Sequence, residues 1–292
     1  MDTNVFNNAF GSVNKISLGE SMTGLRIEHE QCHAEISLYG GQVLSWQPKE
    51  QQPVLWISKD SVFEAGKAIR GGIPLCWPWF GPYSKSEVKS GNHGFARQQM
   101  WQLAEVDIDE CSVKIVLTWQ GENMHRLWPN ACQLKQELLF GKTFSQTLYM
   151  TNSSNKDAQY TGALHSYFRV SGPKNITIDK LNSIEFDDKL SGQNNQIKPL
   201  KNCVGPIDRI YHSNQTMQIK DSAWQRVIEI KSFHAQQWVL WNPGVEIAQS
   251  MSDIHINGED EFVCLEAANT QEQRLKSGET VVLKQTITVK AH

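Results

Sequence analysis

The chain has 292 residues, with 28 Lys and Arg against 31 Asp and Glu and a formal charge of −3; it carries no block of basic residues, which argues against nucleic-acid or anionic-membrane partners. Hydrophobic residues at 39% and charged residues at 20% fit a soluble globular protein with a substantial core. No apolar run reaches the roughly 18 residues of a membrane span.

The opening MDTNVFNNAFGSVNKISLGE has no basic segment leading into an apolar one, so no secretory signal is expected. HAEISLYGGQVLSWQP then predicts two strands broken at Gly40-Gly41. Residues 64–97 are rich in Gly, Pro and Trp, and read as shaped loops. CSVKIVLTWQ and CQLKQELLFGKTFSQTLYMTNSS give further strands, with Gly141-Lys142 as a turn. TGALHSYFRV follows, placing Ala163, His165, Tyr167 and Arg169 on one face of a strand. Residues 187–224 are polar and irregular. QRVIEIKS, QWVLWNPG, FVCLEAAN and TVVLKQTITVK complete the strand rhythm. The best helix candidates are single turns near SKDSVFEAGKAI and SDIHING. Many short strands with turn signals and no linker predict an all-β protein, one large antiparallel β-sandwich over residues 1–292 with its core at roughly 25–289.

Six cysteines (Cys32, Cys76, Cys111, Cys132, Cys203, Cys264) show no C-x-x-C spacing, which favours reduced thiols in a cytoplasmic protein. His125, His212, His234 and His255 share no metal-ligand spacing, so no metal is expected. Ten tryptophans serve equally as core filling or as flat faces for a sugar.

Three clusters carry potential chemistry. In AIRGGIPLCWPWFGP, Arg70 stands at the entrance of a stiff loop, either as an anion-binding fork or as half of a structural ion pair. In GNHGFARQQMW, Asn92, His93 and Arg97 lie within six positions, and Arg97 with Arg70 would suit a phosphate. In FVCLEAAN, Glu266 is an acid inside an apolar strand, so it must be paired, protonated or facing a wet cleft. His165 poses a milder form of the same problem. One cleft holding both would contain a competent acid–base pair; a hydrogen-bonded pair buried in the core is the bland alternative. Asp208, in an irregular loop, either accepts hydroxyl hydrogen bonds or forms a turn.

Taken together, AEISLYGGQVLSWQP, AIRGGIPLCWPWFGP, NHGFAR, LHSYFRV, VLWNPG and FVCLEAAN resemble the aldose 1-epimerase (mutarotase) superfamily, and most closely its glucose-6-phosphate 1-epimerase branch. The resemblance implies a galactose mutarotase-like supersandwich that interconverts the α and β anomers of a hexose 6-phosphate. It implies His165 as proton donor and Glu266 as base, both ionised near neutral pH, with substrate contacts from Arg70, Asn92, His93, Arg97 and Asp208. The branch needs no cofactor, and a monomer acting on a small molecule is expected. The sequence departs from the superfamily after Glu266, where Ala267-Ala268-Asn269 stands in place of a common proline. A non-catalytic carbohydrate-binding or sugar-phosphate-sensing sandwich is the competing expectation.

Overall fold

The computed structural model describes residues 3–83 and 91–291. Five strands, β1 (Thr3–Asn8), β2 (Gly11–Leu18), β3 (Met22–His29), β4 (Cys32–Ser37) and β5 (Gln42–Pro48), form a meander in chain order. Between β4 and β5 the chain reverses at Gly40 and Gly41, whose φ angles of +78° and +55° suit glycine.

Next along the chain come β6 (Leu75–Cys76), β7 (Gln102–Ile108), β8 (Ser112–Gly121), β9 (Cys132–Gly141), β10 (Thr143–Asn152), β11 (Ala158–Leu164) and β12 (Tyr167–Arg169). Four shorter strands follow: β13 (Ile176–Thr177), β14 (Phe186–Asp188), β15 (Gln193–Gln196) and β16 (Ile207–Tyr211). The last five are β17 (Met217–Asp221), β18 (Arg226–Phe233), β19 (Gln237–Asn242), β20 (Phe262–Leu275) and β21 (Thr280–Ala291). A second sheet has the order β13-β17-β18-β21-β10-β9-β8-β7, and a third β15-β14-β16-β19-β20-β11-β6, with β12 added alongside β20. All pairings between these strands are antiparallel, as the sequence predicts.

One apolar cluster draws on all three sheets, with Trp46 from the first, Ile115, Phe140 and Phe144 from the second, and Leu164 and Leu240 from the third. Trp46 is fully buried, packs 5.7 Å from Phe144 and donates its indole N–H to the Gly141 carbonyl at 3.2 Å. Truncating such a side chain costs about 3–5 kcal/mol.

A chain of buried amides crosses this core. Gln136 donates to the Gly41 carbonyl, Gln146 to Gln136, and Gln285 to both Gln146 and the Ser166 hydroxyl, at 2.7–3.0 Å. The three glutamines and Ser166 are fully buried. A buried amide without a partner costs about 1–3 kcal/mol, so the chain is stable only when complete.

Neither expected helical turn is one. The described helix is α1 (Gly244–Gln249), directly after the Pro243 that the sequence reads as a stiff turn. Six residues are too few to show a helical period, and the segment SDIHING is a set of turns leading into a 3-10 turn at Gly258–Glu261. No helix among the described residues is long and apolar enough to cross a membrane.

The third sheet positions the site. Along β20, Val263, Leu265 and Ala267 enter the main core, and the alternate residues face the other way. On that other face Phe262 and Cys264 pack with Trp56, Tyr167, Ala248 and Ile254. Ala268 packs instead with Cys76, Ala163 and Val239. Glu266 falls between the two apolar clusters, and the gap between them is a cavity.

Candidate active site

The cavity measures about 260 Å³ and is lined by residues from widely separated stretches of chain, from Arg70 to Glu266. Ligand pockets for drug-sized molecules run to about 300–1,000 Å³, so this one suits a single small polar molecule. A larger groove of about 700 Å³ runs over the second sheet, but its lining holds neither histidine nor carboxylate.

His165 sits where the strand TGALHSYFRV breaks. β11 ends at Leu164 and β12 begins at Tyr167, with the Ser166 N–H turned back onto the Leu164 carbonyl at 3.0 Å. The His165 amide is held by the Pro74 carbonyl at 3.1 Å. Alternation survives the break: the His165 imidazole lies flat on the Tyr167 ring, centroids 4.8 Å apart and planes within 9°, while Ser166 points into the core toward Gln285. Across the ladder, Leu164 pairs with Ala267 and Tyr167 with Cys264, which leaves His165 beside Glu266. Its Nε2 is 3.4 Å from the Glu266 Oε1.

Both groups are buried, with side-chain exposures of 9% and 1%. His165 Nδ1 and Glu266 Oε2 have no hydrogen-bond partner among the described residues. Burial holds the imidazole well below its ordinary range, helped by His93, Arg97 and Arg70. Burial lifts the Glu266 carboxyl well above its ordinary range, with Asp208 adding to the rise and Lys189 and Arg97 opposing it. Both shifts run against the expectation of two resting ions, because burial disfavours the charge on each group. Neutral acid with neutral imidazole and carboxylate with imidazolium contain the same single proton. One short transfer converts the first into the second.

The loop around His93 forms the facing wall. His93 has a φ of +67°, and Gly94 one of +67°, where a Cβ would come within 2.0 Å of the Trp77 carbonyl. Only glycine fits there, and this close approach brings the His93 ring 5.5 Å from that of His165. The Gly81 N–H donates to His93 Nδ1 at 3.2 Å. Nδ1 is therefore the acceptor nitrogen, and burial with neighbouring Arg97 keeps the ring neutral, so Nε2 carries the proton. His93 is a fixed hydrogen-bond donor.

The two arginines differ. Arg70 is tied down, giving Nε and Nη2 to Asp253 Oδ2 at 3.0 Å and Nη1 to the Tyr167 hydroxyl at 2.9 Å. Arg97 donates to the Asn92 carbonyl at 2.8 Å and, among the described residues, has no carboxylate partner and no acceptor for its buried Nε. Burial lowers its pKa, the mark of a charge awaiting a counterion. Asn92 is exposed at the rim of the cavity, where its backbone accepts from Arg97 and bridges to Pro82. Asp208, on β16, lies opposite Trp241 of β19 with Lys189 Nζ 3.9 Å from its Oδ2; burial raises its pKa.

The structure thus brings all seven residues singled out from the sequence to one cavity. It adds Lys189, Tyr167, Trp241, Met251 and, behind Arg70, Asp253. Tyr167 was within reach, sharing a strand face with His165. Lys189 and Asp253 lie in irregular segments where no periodicity marks them.

Fold and cavity together fit a β-sandwich sugar isomerase, with His165 and Glu266 side by side on the cavity wall. Residues 24–288 match the Aldose 1-epimerase family, and the chain belongs to it. It is 34% identical over 269 residues to an Escherichia coli protein named "Putative glucose-6-phosphate 1-epimerase", covering 90% of this chain and 89% of that one. A Salmonella typhimurium protein of the same name is 32% identical over 268 residues, again covering 90% and 89%. The crystal structure of a Salmonella typhimurium "putative mutarotase" superposes with a TM-score of 0.88 at 30% identity, covering 98% of this chain and 96% of that one.

Proposed function

We infer that this enzyme interconverts the α and β anomers of a hexose 6-phosphate, glucose 6-phosphate first among them, by general acid–base ring opening. The observation that carries this reading is the His165–Glu266 pair on the wall of a cavity that also holds Arg97, a largely buried cation with no carboxylate partner among the described residues. The names of the E. coli and Salmonella relatives support the same substrate class.

Ring opening needs a base at the C1 hydroxyl and an acid at the ring oxygen. Both oxygens are bonded to one carbon, so base and acid must lie close together. The 3.4 Å separation of Glu266 and His165 meets that requirement; the pairs that flank a glycosidic bond in inverting hydrolases stand roughly 6.5–9.5 Å apart. With the shared proton on His165, Glu266 takes the C1–OH proton as the carbonyl forms. His165 donates to the ring oxygen as the C1–O bond breaks. Rotation about C1–C2 presents the other carbonyl face, and the reverse transfers close the ring. Proton count is unchanged at the end.

His93 Nε2–H and Asp208 are available to sugar oxygens. Arg97, with Arg70, holds the phosphate by charge-assisted bonds and uses that remote affinity to place C1. A monomer working in the cytoplasm suits a phosphorylated substrate and the absence of C-x-x-C cysteine spacing.

The test is anomerisation of freshly dissolved α-glucose 6-phosphate, followed by polarimetry or NMR exchange. Wild type should accelerate it, and His165→Ala and Glu266→Gln should each lose about 10²–10⁴-fold. Binding without acceleration by wild type would transfer the protein to the sugar-phosphate sensors.

A further inference from the structure

Tyr167 touches both halves of the proposed chemistry. Its ring is 1% exposed and lies parallel beneath the His165 imidazole. Its hydroxyl accepts from Arg70 Nη1 at 2.9 Å. The ring is itself fixed: Trp56 stacks on it at 5.8 Å and 22°, Phe262 packs at 5.2 Å, and Trp241 meets it edge-on at 6.0 Å. Trp56 is anchored in turn by its indole N–H to Glu261 at 2.8 Å. The Tyr167 backbone is pinned on both sides, N–H to the Gly72 carbonyl and carbonyl to the Trp56 N–H, each at 2.9 Å.

A buried imidazole that must become a cation benefits from an aromatic face, whose negative quadrupole favours the charged ring. The same flat contact blocks rotation of the imidazole away from Glu266. The hydroxyl, pushed up by burial and so retained as O–H, works at the other end by fixing the guanidinium that Asp253 holds from behind.

Resting on the epimerase reading above, we propose that Tyr167 is a positioning residue with two separable parts, a ring that supports His165 as proton donor and a hydroxyl that aims Arg70 at the substrate's anionic group. The two parts separate by substitution. Tyr167→Phe keeps the ring and loses the hydroxyl; Tyr167→Leu loses both.

In glucose 6-phosphate anomerisation, Tyr167→Phe should raise KM about ten- to a hundredfold, the loss of one hydrogen bond to a charged group, with kcat within about threefold of wild type. Tyr167→Leu should show the same KM rise and a further drop in kcat of at least about tenfold. A merely structural role predicts a graded loss in both constants that follows the thermal melting temperature, so melts are recorded alongside. Equal kcat for the Phe and Leu variants overturns the ring's part, and unchanged KM in Tyr167→Phe overturns the hydroxyl's. If the Leu variant does not fold, Tyr167→Met makes the same comparison. An inactive wild type would overturn the epimerase reading itself, and the proposal with it; an active wild type with the wrong split overturns the proposal alone.

Discussion

Removing the Arg97 guanidinium should separate phosphate recognition from chemistry. In Arg97→Met the stem is kept and the charge removed. Among the described residues the guanidinium has one hydrogen bond, to the Asn92 carbonyl, and its buried Nε has none. Two charge-assisted bonds to a phosphate are worth about 1.5–3 kcal/mol each, hence about 3–6 kcal/mol together. At 1.4 kcal/mol per tenfold, kcat/KM for glucose 6-phosphate should fall by about 10²–10⁴. Free glucose makes no such bonds, and its kcat/KM should move less than about threefold. The variant should also melt no lower than wild type, because an uncompensated cation leaves a largely buried site. NMR exchange on both sugars, with thermal melts, measures all three. Equal losses on the two substrates would falsify the assignment of Arg97 to the phosphate.

The pH profile of kcat/KM should be a bell that reports a dyad holding one proton. A second proton must go onto His165, whose pKa burial and the neighbouring cations hold down, so the acid limb should lie below the ordinary histidine value of about 6.5. The last proton leaves a raised Glu266, so the basic limb should lie well above the ordinary carboxylate value of about 4.3; an acid limb above neutrality contradicts this. Stability carries the same signature. A raised carboxyl contributes stability below its unfolded pKa and loses it as pH rises through the folded one, so wild type should weaken relative to Glu266→Gln in urea melts as pH rises above the ordinary carboxylate value of about 4.3. A flat difference would show that Glu266 titrates normally. Lys189→Met should strip Asp208 and Glu266 of the cation facing them and lower kcat/KM for the sugar phosphate about tenfold; unchanged activity would show that Lys189 takes no part in the reaction.

Much of this protein can be read along its chain. Strands with one face inside declare themselves by alternation, and in FVCLEAAN, the first part of β20, the alternation isolates Glu266 as the one acid on a face otherwise of Phe, Cys and Ala. His165 and Tyr167 keep a common face even across a break in the strand. What alternation cannot carry is partnership at long range. Asp253 is 183 residues from Arg70, and its ion pair turns an apparently free arginine into a braced one. Lys189 reaches the cavity because β14 pairs with β16, a register set by side chains elsewhere. The ionisation of the His165–Glu266 pair is likewise a property of enclosure: residue types predict two charges, and only the packing of two apolar clusters around Glu266 reveals the desolvation that favours none.

The buried amide chain has a consequence for how the site is assembled. Gln146 and Gln285 face each other directly across β10 and β21, and Gln136 lies diagonally opposite on β9. Sliding any of these strands by two residues would still turn apolar residues inward, so oily packing alone tolerates the error. The amides do not, because each slipped glutamine would be stranded without a mate at about 1–3 kcal/mol apiece. The far end of the chain is Ser166, the neighbour of His165. The register of the distant sheet and the placement of the segment that carries His165 thus rest on the same four side chains.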